Sequence, residues 1–183
     1  MNYAHADDVA LVAAARDGEL DAFEELVRRH TGVVYAHAYR FFGDGAAADD
    51  AAQEVFIKVY RSMDTFDGRA KFSTWLYRIT RNTCLDMVRS GKRRPLPIDP
   101  LDVAHVATSD IADEVALSTT IETALSALAP EDRDALSAVS LFGLSYAEAG
   151  TALGVPAGTV KSRVFRARRA LAAVLEIPRG GAR

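Results

Sequence analysis

Apolar residues recur every three or four positions along most of this chain, which is the spacing of amphipathic α-helices. In the N-terminal half this pattern predicts four helices, at about 7–16, 21–42, 46–63 and 73–90. The many Ala, Leu and Arg residues, with few Gly or Pro inside these segments, favour the same structure. The sequence therefore predicts an all-α protein.

Polar residues and glycines mark where the predicted helices start and stop. Asp21 and Glu24 are spaced like an N-cap residue and its return partner, and Ser73 is placed to cap the fourth helix. Gly18 and the run Gly43-Asp44-Gly45 interrupt the apolar pattern between helices. These signals separate four successive helices.

The C-terminal part of the chain carries a different arrangement of short helices. Helical periodicity is found at about 115–128 and again at 130–142, where a proline suits the first helical turn. Ser145 and Glu148 then form a capping box that opens a short helix, and Gly154 ends it. A short helix, a tight turn with glycine and a second helix together predict a helix-turn-helix.

A segment without any Lys or Arg separates these two parts, from Pro95 to Asp132. Its first residues, PLPIDPLDVAHVATSDIADE, are rich in proline and aspartate, which is the composition of an extended acidic linker. We therefore predict two small helical domains, 1–94 and 115–183, joined by a linker at 95–114.

The second helix of the helix-turn-helix, GTVKSRVFRARRAL, has two distinct faces. The face predicted to pack on a core consists of Val160, Val164, Ala167 and Leu171. The opposite face and its flanks carry Ser162, Phe165, Arg166, Arg169, Lys161 and Arg168. Such a helix enters the DNA major groove, where an exposed phenylalanine contacts a thymine methyl group or a sugar edge. A solvated basic helix that pairs with acids elsewhere in the chain is the alternative.

The helix at 73–90 carries a second basic surface. The polar residues of this surface and of the loop before it are Arg69, Lys71, Arg78, Arg81, Asn82 and Arg89. Basic charge and an amide beside a flexible loop with Phe66 and Phe72 suit single-stranded DNA. Trp75 and Ile79 face away from this surface, so we assign them to the core.

Charge and composition narrow the possible functions. The formal net charge is −3, so the chain is slightly acidic overall although it carries two basic surfaces. Cys84, the single cysteine, excludes an internal disulfide and is predicted to be a buried apolar residue. No cofactor or metal site is expected, and His30 and His37 are interpreted as helix-surface residues. Without a signal sequence or a membrane-spanning run, we expect a cytoplasmic protein and no membrane insertion.

Two longer runs carry a family resemblance. The run DAAQEVFIKVYRSMDTFDGRAKFSTWLYRITRNTCLD resembles region 2 of bacterial sigma factors, and LSYAEAGTALGVPAGTVKSRVFRARRAL resembles their region 4. Their order and direct connection are similar to the extracytoplasmic-function (ECF) group of the sigma-70 family. The resemblance implies a non-enzymatic factor that binds core RNA polymerase and directs transcription initiation at specific promoters.

The resemblance also implies roles for individual residues, which fall into three sets. The polymerase set, matched to contacts with the beta-prime clamp helices, is Asp50, Gln53, Glu54, Phe56 and Tyr60. The minus-ten set, for melting and base capture with the loop at 66–72, is Arg69, Lys71, Arg78, Arg81, Asn82, Thr83 and Arg89. The minus-thirty-five set is Lys161, Ser162, Phe165, Arg166 and Arg169. Without the resemblance, the acids of the polymerase set would be read as a solvated face.

The implied partners are core RNA polymerase, through its beta-prime clamp helices and beta flap, promoter DNA, and an anti-sigma factor. No small-molecule substrate is expected. Two departures from primary sigma factors stand out. Trp75 lacks the adjacent tryptophan of their melting segment, and the linker at 95–114 replaces their intervening domain. The resemblance places this linker near the RNA exit path.

Two other functions remain open at this point. A sigma mimic that only sequesters an anti-sigma factor would have no use for Lys161 and Arg166. A conventional helix-turn-helix regulator would leave the polymerase set and Asn82 unexplained. Co-purification with core polymerase tests for a sigma mimic. Footprinting distinguishes a regulator, because only an initiation factor needs polymerase and yields permanganate-reactive thymines.

Overall fold

A computed structural model describes residues 3–91, 124–125 and 127–175, with side chains to residue 173. The described residues form helices and turns without strands, so the prediction of an all-α protein is confirmed. The predicted linker at 95–114 lies outside the described residues, as does the helix predicted at 115–128 except for Ala124, Leu125, Ala127 and Leu128.

Four α-helices and one turn of 3-10 helix build the described part of the N-terminal domain. The helices are α1 (Asp8–Arg16), α2 (Leu20–Phe42), α3 (Gly45–Ser62) and α4 (Phe72–Arg89), and the 3-10 turn is Met63–Thr65. Helix α2 lies at the centre and packs against the other three. The fully buried side chains between them include Leu26, Val34, Val55, Val59 and Leu76. Burial of such a side chain stabilises a fold by about 1.5–3 kcal/mol.

Two aspartates cap helices of this domain through their side chains. Asp7 accepts a hydrogen bond from the amide of Ala10 at 2.8 Å, and Asp44 accepts one from the amide of Ala47 at the same distance. Gly43 ends α2 with a φ of 68°, a left-handed conformation that glycine adopts without strain. The predicted break between α2 and α3 is therefore confirmed.

The two caps predicted for α2 and α4 are wrong. Helix α2 begins one residue before Asp21, with Glu19 at the N-cap and no side-chain cap. Helix α4 begins one residue before Ser73, with Lys71 at the N-cap and again no side-chain cap. Asp21 instead lies inside the first turn of its helix, where a carboxylate interacts favourably with the helix dipole.

Three helices form the described part of the C-terminal domain: α5 (Pro130–Ser140), α6 (Tyr146–Leu153) and α7 (Ala157–Leu175). The predicted capping box of α6 is present, because the amide of Glu148 donates to Ser145 Oγ and the amide of Ser145 donates to Glu148 Oε2. Gly154 ends α6 with a φ of 70°. Helix α7 packs on both α5 and α6, which completes the predicted helix-turn-helix.

The aromatic residues of the predicted flexible loop lie in the core. Phe66 and Phe72 are buried, and both rings contact Trp75 with centroids 5.5 and 5.6 Å apart. The expectation that these phenylalanines face single-stranded DNA is therefore wrong for this structure. Trp75 and Ile79 pack against the core, as predicted.

The two domains share a continuous apolar core. His37 is buried between them, with Nδ1 2.8 Å from Ser137 Oγ and its ring edge against Tyr77. The interpretation of His37 as a surface residue is wrong, whereas His30 is half-buried. Burial by the second domain encloses His37, and His30 Nε2 lies 2.9 Å from Asp8 Oδ2.

Candidate polymerase and promoter surfaces

Helix α7 presents the minus-thirty-five set on its outer face. All five members are exposed, and 65% of the surface of the apolar member, Phe165, is open to solvent. On the inner face Val160, Val164 and Ala167 are buried against α5 and α6. The predicted division of this helix into an apolar and a basic face is confirmed, and Phe165 lies on the basic one.

Two members of this set are fixed by hydrogen bonds. Ser162 donates its hydroxyl to the carbonyl of Gly158 at 3.0 Å, one turn earlier in the same helix. The Arg166 guanidinium binds the carboxylate of Asp132 on α5 through two hydrogen bonds of 2.6 and 3.0 Å. This hydrogen-bonded carboxylate raises the pKa of Arg166. No local sequence pattern indicates this pair, because its two residues lie 34 positions apart.

The minus-ten set divides into two groups and one separate residue. The members of the first group, which face solvent, are Arg69, Asn82 and Arg89. Arg69 pairs with Asp67 at 3.5 Å, and Arg89 pairs with Asp86 at 3.7 Å. These are surface pairs, which contribute little to stability and are easily exchanged for other partners.

The second group contacts the C-terminal domain. Lys71 Nζ lies 3.3 Å from Glu148 Oε1, and Arg78 Nη2 donates to the carbonyl of Thr151 at 3.3 Å. Arg81 Nε donates to Asp134 Oδ2 at 2.7 Å. Three cations of α4 and the residue before it are thus held by α5 and α6.

Thr83 lies apart from both groups. Its side chain is fully buried on the inner face of α4, and its Oγ1 atom has no hydrogen-bond partner among the described residues. It therefore cannot contact DNA in this arrangement, contrary to the predicted role. Its neighbour Cys84 is also buried, as predicted, and desolvation raises the pKa of its thiol to about 12.

The polymerase set forms a strip along α3. Asp50, Gln53 and Tyr60 are exposed, and Glu54 and Phe56 are half-buried. The ring of Tyr60 meets Phe23 of α2 edge to face, with centroids 5.0 Å apart. An exposed aliphatic side chain, Ile57, lies in the same strip, seven positions after Asp50. Sequence reasoning missed Ile57, although this heptad spacing could have revealed it.

Comparison with known protein families decides between the possible classes. Residues 26–94 match Sigma-70 region 2, and residues 118–171 match Sigma-70, region 4. Similar proteins include sigma factors of the extracytoplasmic-function group, which match most of the chain. The chain is 39% identical over 164 residues to the ECF RNA polymerase sigma factor SigE of Mycolicibacterium smegmatis, covering 87% of this chain and 63% of that protein.

The chain belongs to the ECF group of the sigma-70 family.

Other relatives match this ECF sigma factor over nearly their full length. The chain is 34% identical to the ECF RNA polymerase sigma factor SigW of Bacillus subtilis, and the match covers 87% of this chain and 92% of that protein. The chain is also 34% identical to the ECF RNA polymerase sigma-E factor of Escherichia coli K12. That match covers 90% of this chain and 92% of that protein. The matched ranges 26–94 and 118–171 fall inside the domains predicted at 1–94 and 115–183.

Two solved structures resemble this fold. CnrH, solved in complex with the cytosolic domain of CnrY, is 29% identical with a TM-score of 0.66, covering 94% of this chain and 98% of CnrH. RpoE of Bartonella quintana, solved with the anti-sigma factor NepR, is 26% identical with a TM-score of 0.65. That match covers 86% of this chain and 98% of RpoE.

The ECF sigma factor has two further features within its described residues. Its His, Cys, Asp and Glu side chains form no group there that could hold a metal ion. Every helix in that part of the chain is too short or too polar to cross a bilayer.

Proposed function

We propose that this sigma factor binds core RNA polymerase through α3 and reads a promoter through α4 and α7. The observation that carries this proposal is the exposed Phe165 among Lys161, Arg166 and Arg169, on a chain whose formal net charge is −3. Because the chain is acidic overall, non-specific binding to DNA through counterion release should be weak, and these basic residues are proposed to face the promoter.

Helix α7 is proposed to lie in the major groove of the minus-thirty-five element. Arg166 and Lys161 contact phosphates or the O6 and N7 atoms of guanine, which accept hydrogen bonds from such side chains. Phe165 packs against a thymine methyl group. Ser162 donates its proton to Gly158, so its oxygen is left as an acceptor for an amino group of cytosine or adenine.

Base capture at the minus-ten element is proposed for the end of α4. The exposed amide of Asn82 offers both a donor and acceptors to the edge of an unstacked base. Arg89 and Arg69 supply phosphate contacts on either side. Capture offsets part of the cost of unstacking, which is a few kcal/mol per base. The buried side chain of Thr83 has no part in this proposal.

The strip on α3 is proposed to contact the beta-prime clamp helices. It combines carboxylates and an amide with the exposed side chains of Tyr60 and Ile57, and Phe23 supports Tyr60 from α2. Interfaces of this kind draw most of their affinity from a few aromatic and aliphatic side chains that become buried. The beta flap is proposed to contact the C-terminal domain.

The proposed function requires the two domains to separate. Arg81 is half-buried against Asp134, so it becomes available to DNA only after α5 moves away, whereas Lys71 and Arg78 are exposed and would exchange their contacts with α6 for phosphates. Polymerase supplies this separation when it binds each domain at its own site, and the fixed spacing then raises the effective concentration of the second contact.

An anti-sigma factor is proposed as the regulator. CnrH and the RpoE of Bartonella quintana were each solved with a protein partner, the cytosolic domain of CnrY and the anti-sigma factor NepR respectively. The protein is proposed to act in the cytoplasm and to have no enzymatic activity of its own.

Run-off transcription with purified core polymerase tests the proposal on a library of genomic promoters. The expected result is polymerase-dependent start sites with permanganate-reactive thymines, and loss of opening in Asn82→Ala. Failure to associate with core polymerase and absence of a start site at any promoter would indicate a sigma mimic. Protection of duplex DNA without polymerase would indicate a conventional regulator.

A further inference from the structure

The carboxylate of Asp132 holds one edge of the Arg166 guanidinium. Arg166 Nε lies 3.0 Å from Asp132 Oδ2, and Nη2 lies 2.6 Å from Oδ1. These are two parallel, charge-assisted hydrogen bonds, the geometry that fixes both the direction and the plane of a guanidinium. The Asp132 side chain is only 10% exposed, so it has little freedom to move.

The other edge of the same guanidinium stays open. Arginine has five N–H donors, and a carboxylate bound to Nε and Nη2 leaves both hydrogens of Nη1 and one of Nη2. Those remaining donors form a second fork, which matches a phosphate or the O6 and N7 atoms of guanine. The Arg166 side chain is 59% exposed and lies on the same face as Phe165, so this fork is accessible.

We propose that Asp132 is a positioning residue that sets how Arg166 reads the minus-thirty-five element. This inference rests on the proposed function, because it assumes that Arg166 contacts promoter DNA. A long arginine side chain on a helix surface samples many rotamers when free. The two bonds to Asp132 select one orientation of the side chain before DNA binds, so less conformational entropy is lost on binding. A side chain fixed in this way also cannot change rotamer to accommodate a wrong base.

The charge of Asp132 makes this proposal distinguishable from simpler roles. A carboxylate near the DNA repels phosphates, so its neutralisation alone strengthens binding to every sequence about equally. Loss of a positioning contact has the opposite signature, because it weakens the preference for the cognate base. If the pair served only to attach α7 to α5, its removal would lower thermal stability and leave base preference unchanged.

The test compares Asp132→Asn with the control Glu131→Gln in the full chain bound to core polymerase. Glu131 is the neighbouring acid in the first turn of α5 and is exposed, so its substitution removes one charge but neither bond to Arg166. Binding is measured to a promoter and to its single-base substitutions across the minus-thirty-five element. We expect Asp132→Asn to reduce discrimination at one position about tenfold, whereas Glu131→Gln leaves it unchanged.

Variants of Arg166 complete a double-mutant cycle with Asp132→Asn. Arg166→Ala identifies the base position that the arginine reads, and Asp132→Asn should cause no further change at that position in the Arg166→Ala background. Arg166→Lys keeps the charge without the fork and should lose discrimination to a similar degree. This variant also tests the proposal if Asp132→Asn fails to fold.

The outcomes distinguish failure of the positioning role of Asp132 from failure of the proposed function. If Arg166→Ala alters base preference but Asp132→Asn and Arg166→Lys do not, Asp132 does not position the arginine. Stronger binding of Asp132→Asn to all sequences with the same preference would overturn the proposal in favour of plain charge repulsion. If Arg166→Ala itself leaves every preference unchanged, the assigned role of Arg166 in the proposed function fails as well.

Discussion

Arg81 Nε donates a hydrogen bond to Asp134 Oδ2 at 2.7 Å, and this contact joins α4 of the N-terminal domain to α5 of the C-terminal domain. The Arg81 side chain is 29% exposed and that of Asp134 is 15% exposed, so water screens the pair only partly. The backbone carbonyl of Asp134 also accepts the hydroxyl of Tyr77, at 3.1 Å. One short stretch of α5 thus holds two neighbouring turns of α4.

Neutralising Asp134 should loosen the two domains. In Asp134→Asn the charge-assisted bond is lost, which costs about 1.5 kcal/mol and shifts the balance between closed and open arrangements roughly tenfold toward the open one. We expect a larger radius of gyration by X-ray scattering and tighter binding of a single-stranded minus-ten oligonucleotide by the free protein.

The control for this experiment is Asp86→Asn. Asp86 is a carboxylate of α4 that pairs with Lys58 and Arg89 within the N-terminal domain. Its neutralisation changes the net charge of the chain by the same amount but breaks no bond between domains, so the radius of gyration should stay unchanged. Equal tightening of DNA binding by both variants would show that charge, rather than domain separation, is responsible.

The stability of the domain interface should depend on pH through His37. Desolvation lowers the pKa of this buried imidazole to about 4, with a smaller opposing effect from Asp134. An unfolded histidine has a pKa of about 6.5, so between these values the unfolded state binds more protons than the folded one. The contribution of neutral His37 is fully present above the unfolded pKa and decreases as pH falls from about 6.5 toward 4.

Urea unfolding at several pH values measures this effect. The wild-type protein should lose up to about 3 kcal/mol through His37 between neutral pH and pH 4, beyond the loss in His37→Asn, which cannot be protonated there. Asparagine also keeps a polar atom within reach of Ser137. His5→Asn, at an exposed site, serves as the control and should follow the wild type. Parallel curves for wild type and His37→Asn would contradict the assignment.

Local patterns in the sequence predicted the helices and the inner face of α7. Val160 and Val164 are buried because helical periodicity alone places them on one side. The wrong predictions concern residues whose environment is set by tertiary contacts. His37 is enclosed by Ser137, which lies 100 positions later, and no local pattern records such a contact. The sequence predicts that Phe66 lies in a flexible loop, but its ring contacts Trp75 in the core.

The sequence predicts which residues belong to the candidate site better than it predicts how their side chains are arranged. All five residues of the minus-thirty-five set are exposed on α7, because the same periodicity that buries one face exposes the other. Thr83 follows Asn82 directly, but successive helical residues differ by about 100° in direction, so one is buried and the other exposed. The pair between Arg166 and Asp132 needed the packing of α7 on α5.

The turn between α6 and α7 should be sensitive to a single methyl group. A Cβ atom on Gly150 would lie 2.7 Å from the carbonyl oxygen of Val155, which belongs to the backbone and has little room to move. We expect Gly150→Ala to destabilise the C-terminal domain by about 1–3 kcal/mol, the usual cost of overpacking. Thermal unfolding followed by circular dichroism measures the change.

Gly158 offers a matched control for that substitution. It lies in α7, and a Cβ atom there would meet no other atom within 4 Å. Gly158→Ala should therefore leave stability unchanged or raise it slightly, since alanine favours the helix by up to about 1 kcal/mol. A similar loss in both variants would mean that glycine itself, rather than the close approach to Val155, matters at these positions.

The neighbours Asn82 and Thr83 should separate promoter opening from folding. Asn82 is exposed, so Asn82→Ala should reduce open-complex formation about tenfold or more, with little change in thermal stability. Thr83→Val keeps the shape of a buried side chain whose Oγ1 has no hydrogen-bond partner among the described residues. Because it removes an unsatisfied polar atom, it should raise stability by about 1 kcal/mol and leave opening unchanged. Permanganate footprinting and thermal unfolding of both variants measure these effects, and a loss of opening in Thr83→Val at full stability would restore Thr83 to the DNA-binding set.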